Sequence, residues 1–221
     1  MKNRFKRLLI VIAVLIAGVL AVAGGVVIDG FVTAPAALRR AYEHPLPLKL
    51  ADLTPEQRQV LLTVQDPNFY SHSGADFSLS GGVWTTITEA LVKQLYFKDF
   101  EPGFLHLGKV RQILLAVGFN CRVSKDEQLR LFINRIYLGE IAGRPFYGFE
   151  DASHVYFGKP FADLSREEYL SLVATLASPS KLNPRRHRAE NKDRVGRIER
   201  LLRGECAPLG KTDAFLVNCF N

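Results

Sequence analysis

Cysteine is scarce: the 221 residues hold three, Cys121, Cys206 and Cys219. None stands at a metal-binding spacing or beside clustered histidines, so no stretch reads as a zinc site. Cys206 and Cys219 fall close together in a polar tail with Pro208 and Gly210. They are plausible disulfide partners in an oxidising compartment, which leaves Cys121 alone. Strand signals are also missing. No run alternates convincingly between apolar and polar residues and no internal repeat is visible, so the region beyond the N-terminus is expected to be mainly α-helical. Acidic residues fall short of basic ones, 22 against 29, for a formal net charge of +7. That balance favours acidic partners. Nucleic acid, anionic lipid headgroups and pyrophosphate would each satisfy it, and charge alone does not choose among them.

Charge is wholly absent from Leu8 to Ile28, a run of 21 apolar residues behind Lys2, Arg4, Lys6 and Arg7. The run is about the length a helix needs to span a bilayer, whereas a signal peptide has an apolar core of about 7–15 residues. The expectation is an uncleaved anchor, with Ala21-Val22-Ala23 as the alternative cleavage site. The basic flank stays on the cytoplasmic side and carries everything after Asp29 outward. In a bacterium this means a single-pass inner-membrane protein with its C-terminal domain in the periplasm. The expected organisation is a basic N-terminus at 1–7, the anchor at 8–28, a linker at 29–52, a globular domain at 53–203 and a cysteine-bearing tail at 204–221.

Within the domain, Thr54-Pro55-Glu56-Gln57 forms a capping box with Pro at the first helical position. Its helix turns Val60, Leu61 and Val64 inward, delivers Gln65-Asp66 at its end and stops at Pro67. A Ser/Gly stretch at 77–83 precedes a helix with Ile87, Leu91 and Leu95 on one face. The aromatic, glycine-broken segment from Phe97 to Gly108 reads as a buried loop or a membrane-touching flap. A helix from Lys109 to Phe119 is expected to bury Ile113, Leu114 and Val117. Capping boxes at Ser124–Glu127 and Ser165–Glu168 open two more helices, the first ending at Gly139 and the second stapled by Leu164. A last helix spans about 190–202, with Val195, Ile198 and Leu202 inward.

The densest chemistry lies in two stretches. Asp66, Phe69, His72, Gly74 and Asp76 form one pattern, and Thr86-Ile87-Thr88 with Lys93 forms the next. Lys109 follows, then Ser124 to Gly139 with Asn134, Ile136 and Tyr137. After these come Tyr147-Gly148, then Ala152 to Gly158, then Leu176 to Pro184. Taken in order, these motifs resemble glycosyltransferase family 51, the peptidoglycan glycosyltransferases that join lipid II disaccharides into glycan strands. The resemblance covers about 53–184. It implies a lysozyme-like helical transglycosylase domain with a membrane-facing jaw.

The departures concern catalysis. The family begins its first motif with Glu-Asp, and this chain has Gln65-Asp66. The third-motif glutamate is replaced by Gln112. In the family those glutamates take the proton of the attacking sugar hydroxyl and assist near the leaving pyrophosphate. An amide keeps the shape but accepts no proton near neutral pH. Loss of one positioned base typically costs about 10²–10⁴ in rate. Glu89 puts an acid where the family has an amide, so it is a candidate substitute base beside the plainer reading of a hydrogen-bonded helix residue. The resemblance places Lys93 and Lys109 at the pyrophosphate, with Arg111 near enough to help and Gly108 in place of the family's Arg. It also places Asp66, His72, Thr86, Thr88 and Asn134 among the substrate-binding positions, although His72 without clustered partners reads as a hydrogen-bonded structural residue.

Trp84 and the Phe97–Phe104 cluster fit lipid contact or core packing. The basic run from Lys181 to Arg203, which includes Arg194 and Arg197, fits anionic headgroups or a solvated face, and nucleic acid is a poor partner for an outward-facing domain. No resident cofactor is indicated, and a divalent cation at the pyrophosphate stays open. Two function classes follow: a relative that binds lipid II, glycan strands or other cell-wall synthesis proteins with little or no polymerisation, and an active polymerase with its base moved to Glu89. A glycan hydrolase on the same fold needs a proton donor too, so the missing glutamates count against it.

Overall fold

A computed structural model describes residues 2–78, 85–98, 101, 103 and 106–220. It is mainly helical. α1 (Lys2–Tyr42) is one unbroken helix of 41 residues that carries Pro35 within it. By length and composition it is able to cross a membrane. The first part of the segment expected to be a linker is therefore helix. Its buried stripe is Gly30, Ala34, Ala37 and Ala41, at a helical period but with small residues that give little hydropathy contrast. Pro45 and Pro47 follow the helix end, and a single 3-10 turn at Leu50–Asp52 leads into the rest of the domain.

α2 (Pro55–Gln65) starts at the Thr54 cap, whose hydroxyl accepts from the Gln57 N–H while the Gln57 side chain returns to the Thr54 N–H. α3 (Ile87–Tyr96) is capped by Thr86, whose hydroxyl accepts from the Glu89 N–H. α4 (Leu107–Arg122) lies between α1 and α3. Its buried residues are Gln112, Leu115, Ala116, Gly118 and Phe119, while Ile113, Leu114 and Val117 are only half-buried. The inward face thus differs from the one its largest aliphatic residues indicate. The reason is the close approach of α1: a Cβ on Gly118 would sit 1.9 Å from the Val27 carbonyl oxygen, and one on Gly30 would sit 2.5 Å from that of Leu115. Backbones this near admit only hydrogen as a side chain.

α5 (Lys125–Arg135) begins at Ser124, whose hydroxyl accepts from the Glu127 N–H. The reciprocal half of that expected capping box is not made, because Glu127 accepts from the Tyr42 hydroxyl and pairs with Arg130 instead. α5 ends four residues before Gly139 and gives way to an antiparallel hairpin, β1 (Tyr137–Ile141) and β2 (Arg144–Tyr147). This two-stranded sheet is a small addition to the mainly helical fold expected, at a place where the sequence shows no strand alternation. The strands are short, and the turn joins them through Ala142 and Gly143, both at positive φ, as a two-residue hairpin turn requires. α6 (Gly148–Phe157), α7 (Arg166–Thr175) and α8 (Arg188–Leu202) complete the bundle, with the Ser165–Glu168 capping box formed and Leu164 packed on the core.

The main core gathers Leu61, Phe69, Leu129, Phe132, Phe149 and Leu172. A second, smaller core of Ala34, Val92, Leu115, Ala116 and Phe119 lies where α1 meets α4. Cys206 and Cys219 are joined by a disulfide, and Cys121 is free and exposed.

Candidate functional site

The end of α2, the outward face of α3, the hairpin, α8 and the C-terminal tail enclose a cleft of about 710 Å³. Gln65 lines it from the last turn of α2. Ala90, Lys93 and Gln94 line it from α3, Tyr137 and Tyr147 from the hairpin, and Arg194 and Leu201 from α8. The tail closes the ring with residues 208 and 210–214 and with Leu216. Apart from its two cysteines, the tail carries no site signal in the sequence.

Asp66 follows Gln65 but turns away from solvent and is fully buried. One of its oxygens accepts from the Ile87 N–H at 2.9 Å, and both accept from His72 Nε2 at 3.0–3.1 Å. The Gly74 N–H donates to His72 Nδ1 at 3.0 Å, which makes Nδ1 an acceptor and assigns the ring proton to Nε2. Asp66 and His72 thus tie the first motif to the start of α3. Lys125 Nζ lies 3.5 Å from His72 Nδ1 and 4.6 Å from the Phe69 ring centroid. Burial pulls its ammonium down to about 8, against the opposing charge of Asp66.

Thr86 donates to the Gly74 carbonyl at 2.6 Å, and Thr88 donates to Gln128 Oε1 at 2.6 Å; both are buried. Asn134 makes three backbone hydrogen bonds, two with Leu48 and one with the Arg130 carbonyl, and so fastens the segment after α1 to α5. None of Asp66, His72, Thr86, Thr88 or Asn134 is among the described residues that line the cleft.

Glu89 is 3% exposed, and its carboxylate meets Lys109 Nζ at 2.6 Å. Lys109 also donates to the Thr85 hydroxyl at 3.2 Å. Burial pushes the Glu89 carboxyl up from its ordinary value, and the Lys109 ammonium pulls it part of the way back. Gln112 is 1% exposed and donates from Nε2 to the Glu89 carbonyl at 2.7 Å. The two amides therefore sit differently: Gln65 reaches the cleft, whereas Gln112 braces α3 from beneath. Arg111 is exposed and stacks over the Phe97 ring at 5.4 Å. Trp84, Phe100 and Phe104 lie outside the described residues.

The basic run of α8 divides. Arg194 and Arg197 are 3% and 8% exposed, so they belong neither to a solvated face nor to a headgroup surface. They stack on Phe215 and Phe220 of the tail at 5.8 and 4.1 Å, and Arg197 donates to the Phe215 carbonyl. Lys211 Nζ donates to the Asp76 carbonyl at 2.7 Å, so the tail is pinned to the first motif as well. Among the described residues no group of three or more His, Cys, Asp or Glu is placed to hold a metal ion.

The family model described as transglycosylase matches residues 33–203. Penicillin-binding protein 1A of Pseudomonas aeruginosa is 36% identical over 151 residues, which are 62% of this chain and 18% of that protein. Penicillin-binding protein 1F of Bacillus subtilis is 30% identical over 165 residues, 69% of this chain and 22% of that protein. Penicillin-binding protein 1A of Neisseria gonorrhoeae is 33% identical over 149 residues, 62% of this chain and 18% of that protein. The chain thus spans about a fifth of the length of these curated relatives.

Proposed function

Because the chain belongs to the transglycosylase family, we propose that it binds the lipid-linked disaccharide of bacterial cell-wall synthesis, or the glycan strand made from it, and polymerises little or none of it. The domain faces the periplasm in this reading, since the Lys/Arg cluster lies only before the apolar run. One observation carries it. The described lining of the cleft holds a single carboxylate, Asp213, and its two oxygens accept the backbone N–H groups of Leu209 and Val217. Gln65 occupies the place from which the family's base would act. A hydroxyl nucleophile then finds cations and amides in the cleft but no disengaged carboxylate to take its proton.

The second reading keeps polymerisation and moves the base to Glu89, whose raised proton affinity favours it. Against it stand the 2.6 Å pairing with Lys109 and the position of Glu89 off the cleft lining.

Purified protein with labelled lipid II, with and without divalent cation, separates the two. Binding without polymer supports the first reading, and robust polymer overturns it. Activity abolished by Glu89→Gln then supports the second, and activity indifferent to that change overturns it too. Gln65→Glu is the cleaner rescue. Gln112→Glu exchanges a buried donor for a carboxylate facing the Glu89 carbonyl, which is expected to destabilise the domain.

A further inference from the structure

Arg194 is the unusual group in the cleft. It is 3% exposed and lines the cavity. Its Nε and Nη1 are buried and find no hydrogen-bond partner among the described residues. Burial pulls the guanidinium down to about 10, the neighbouring Arg197 pulls the same way, and Asp213 pushes it back up. Asp213 makes no ion pair with it, and each of its oxygens accepts a tail backbone N–H instead. Arg197 differs: it pairs with Asp193 and donates to Phe215. A buried cation with unmet donors is costly unless a counter-charge arrives.

The Phe215 ring packs against the Arg194 guanidinium, and the disulfide fixes the tail that carries it. Lys211, on the same tail, lines the same cavity and spends one of its donors on the Asp76 carbonyl. A planar guanidinium presents paired donors that match the two oxygens of a carboxylate or a phosphate.

We propose that Arg194, with Lys211 beside it on the tail, forms an oxyanion subsite of the cleft, which takes a carboxylate or phosphate group of the bound ligand. The subsite rests on the reading that the cleft binds a cell-wall precursor. It adds that the disulfide-closed tail supplies part of the recognition.

Three probes identify the anion: lipid II, N-acetylmuramyl pentapeptide, which offers carboxylates without phosphate, and geranyl pyrophosphate, which offers phosphate without sugar. Binding to the full chain in detergent is measured for the natural protein, Arg194→Gln, Arg194→Lys and Phe215→Leu. Arg194→Gln is expected to raise the Kd for lipid II by roughly ten- to a hundredfold, the size of one charge-assisted contact. Arg194→Lys should recover part of that loss, and Phe215→Leu, which removes the stacked ring but leaves the guanidinium, should change it little. The anion is the carboxylate if Arg194→Gln weakens only the pentapeptide, and the phosphate if it weakens only geranyl pyrophosphate.

Equal lipid II binding by Arg194→Gln overturns the subsite and leaves the functional reading standing. Equal losses in Arg194→Gln and Phe215→Leu also overturn it, since they mark Arg194 as a prop for the tail. No lipid II binding by the natural protein, with Arg194-dependent binding of a smaller probe, overturns the functional reading and supports the subsite. Failure to bind any of the three overturns both.

Discussion

Replacing Gly118 with alanine pits helix propensity against packing. In an open helix the change is favourable by about 0.8–1.0 kcal/mol. At Gly118 the new Cβ would meet the Val27 carbonyl oxygen at 1.9 Å and the Phe31 nitrogen at 2.8 Å. Both are backbone atoms of α1 and cannot rotate away. Ordinary contact begins near 3.4 Å, so α1 would have to retreat by about 1.5 Å. That retreat loosens Ala34, Leu115, Ala116 and Phe119 together. Overpacking of this kind costs about 1–3 kcal/mol, more than the propensity gain. For a chain of this size each kcal/mol moves Tm by about 2–4 °C, so Gly118→Ala should melt a few degrees lower. Gly196→Ala is the control: it lies in α8, where a new methyl group would find nothing within 4 Å, and it should melt slightly higher. Thermal unfolding of both variants in the same detergent makes the comparison. A Gly118→Ala protein as stable as Gly196→Ala would refute the seam between α1 and α4.

Other expectations follow from single contacts. Lys125 has its ammonium lowered to about 8 from 10.5 by burial, so the unfolded chain binds more protons between those values and stability should rise with pH there. In Lys125→Met the rise should flatten, as read from urea midpoints across that range. Asn134→Ala leaves the buried Leu48 N–H without its partner and should cost about 1–3 kcal/mol in chemical denaturation. Opening the Cys206–Cys219 bond, which links residues 13 apart, should cost about 3 kcal/mol. The natural protein under reductant should then melt like Cys206→Ser, while Cys121→Ser under oxidising conditions should melt like the natural protein.

Local signals are the most legible in the sequence. Thr54 and Ser165 open their helices as their residues indicate, because a cap and its return partner lie three residues apart and need no tertiary partner. The extension of α1 is hidden because Gly30, Ala34, Ala37 and Ala41 are too small to draw a hydrophobic stripe, although their spacing is there to find. The face of α4 is obscured for a related reason: Gln112 and Gly118 point inward where an aliphatic rule would turn Ile113 and Leu114. In the site, the order of motifs indicates the family. It does not indicate that Asp66, Thr88 and Asn134 serve as buried fastenings, nor that Lys109 meets Glu89, since the partners stand 20 or more residues apart in the chain. The folding of the tail onto the cleft leaves one linear trace, the pair of cysteines that bound it.

The continuity of α1 has a mechanical consequence. From Ile28 to Tyr42 the helix rises about 21 Å beyond its apolar stretch; it is held against α4 at Gly30 and Phe31 and against α3 and α5 at Arg40, Ala41 and Tyr42. In a bilayer that takes up the apolar stretch, the domain is carried on a rigid mast. A spanning helix answers a change in bilayer thickness by tilting. With no joint below α4, about ten degrees of tilt swings the top of the mast sideways by about 4 Å. The thickness of the surrounding lipid would thereby set the angle at which the cleft meets the bilayer surface.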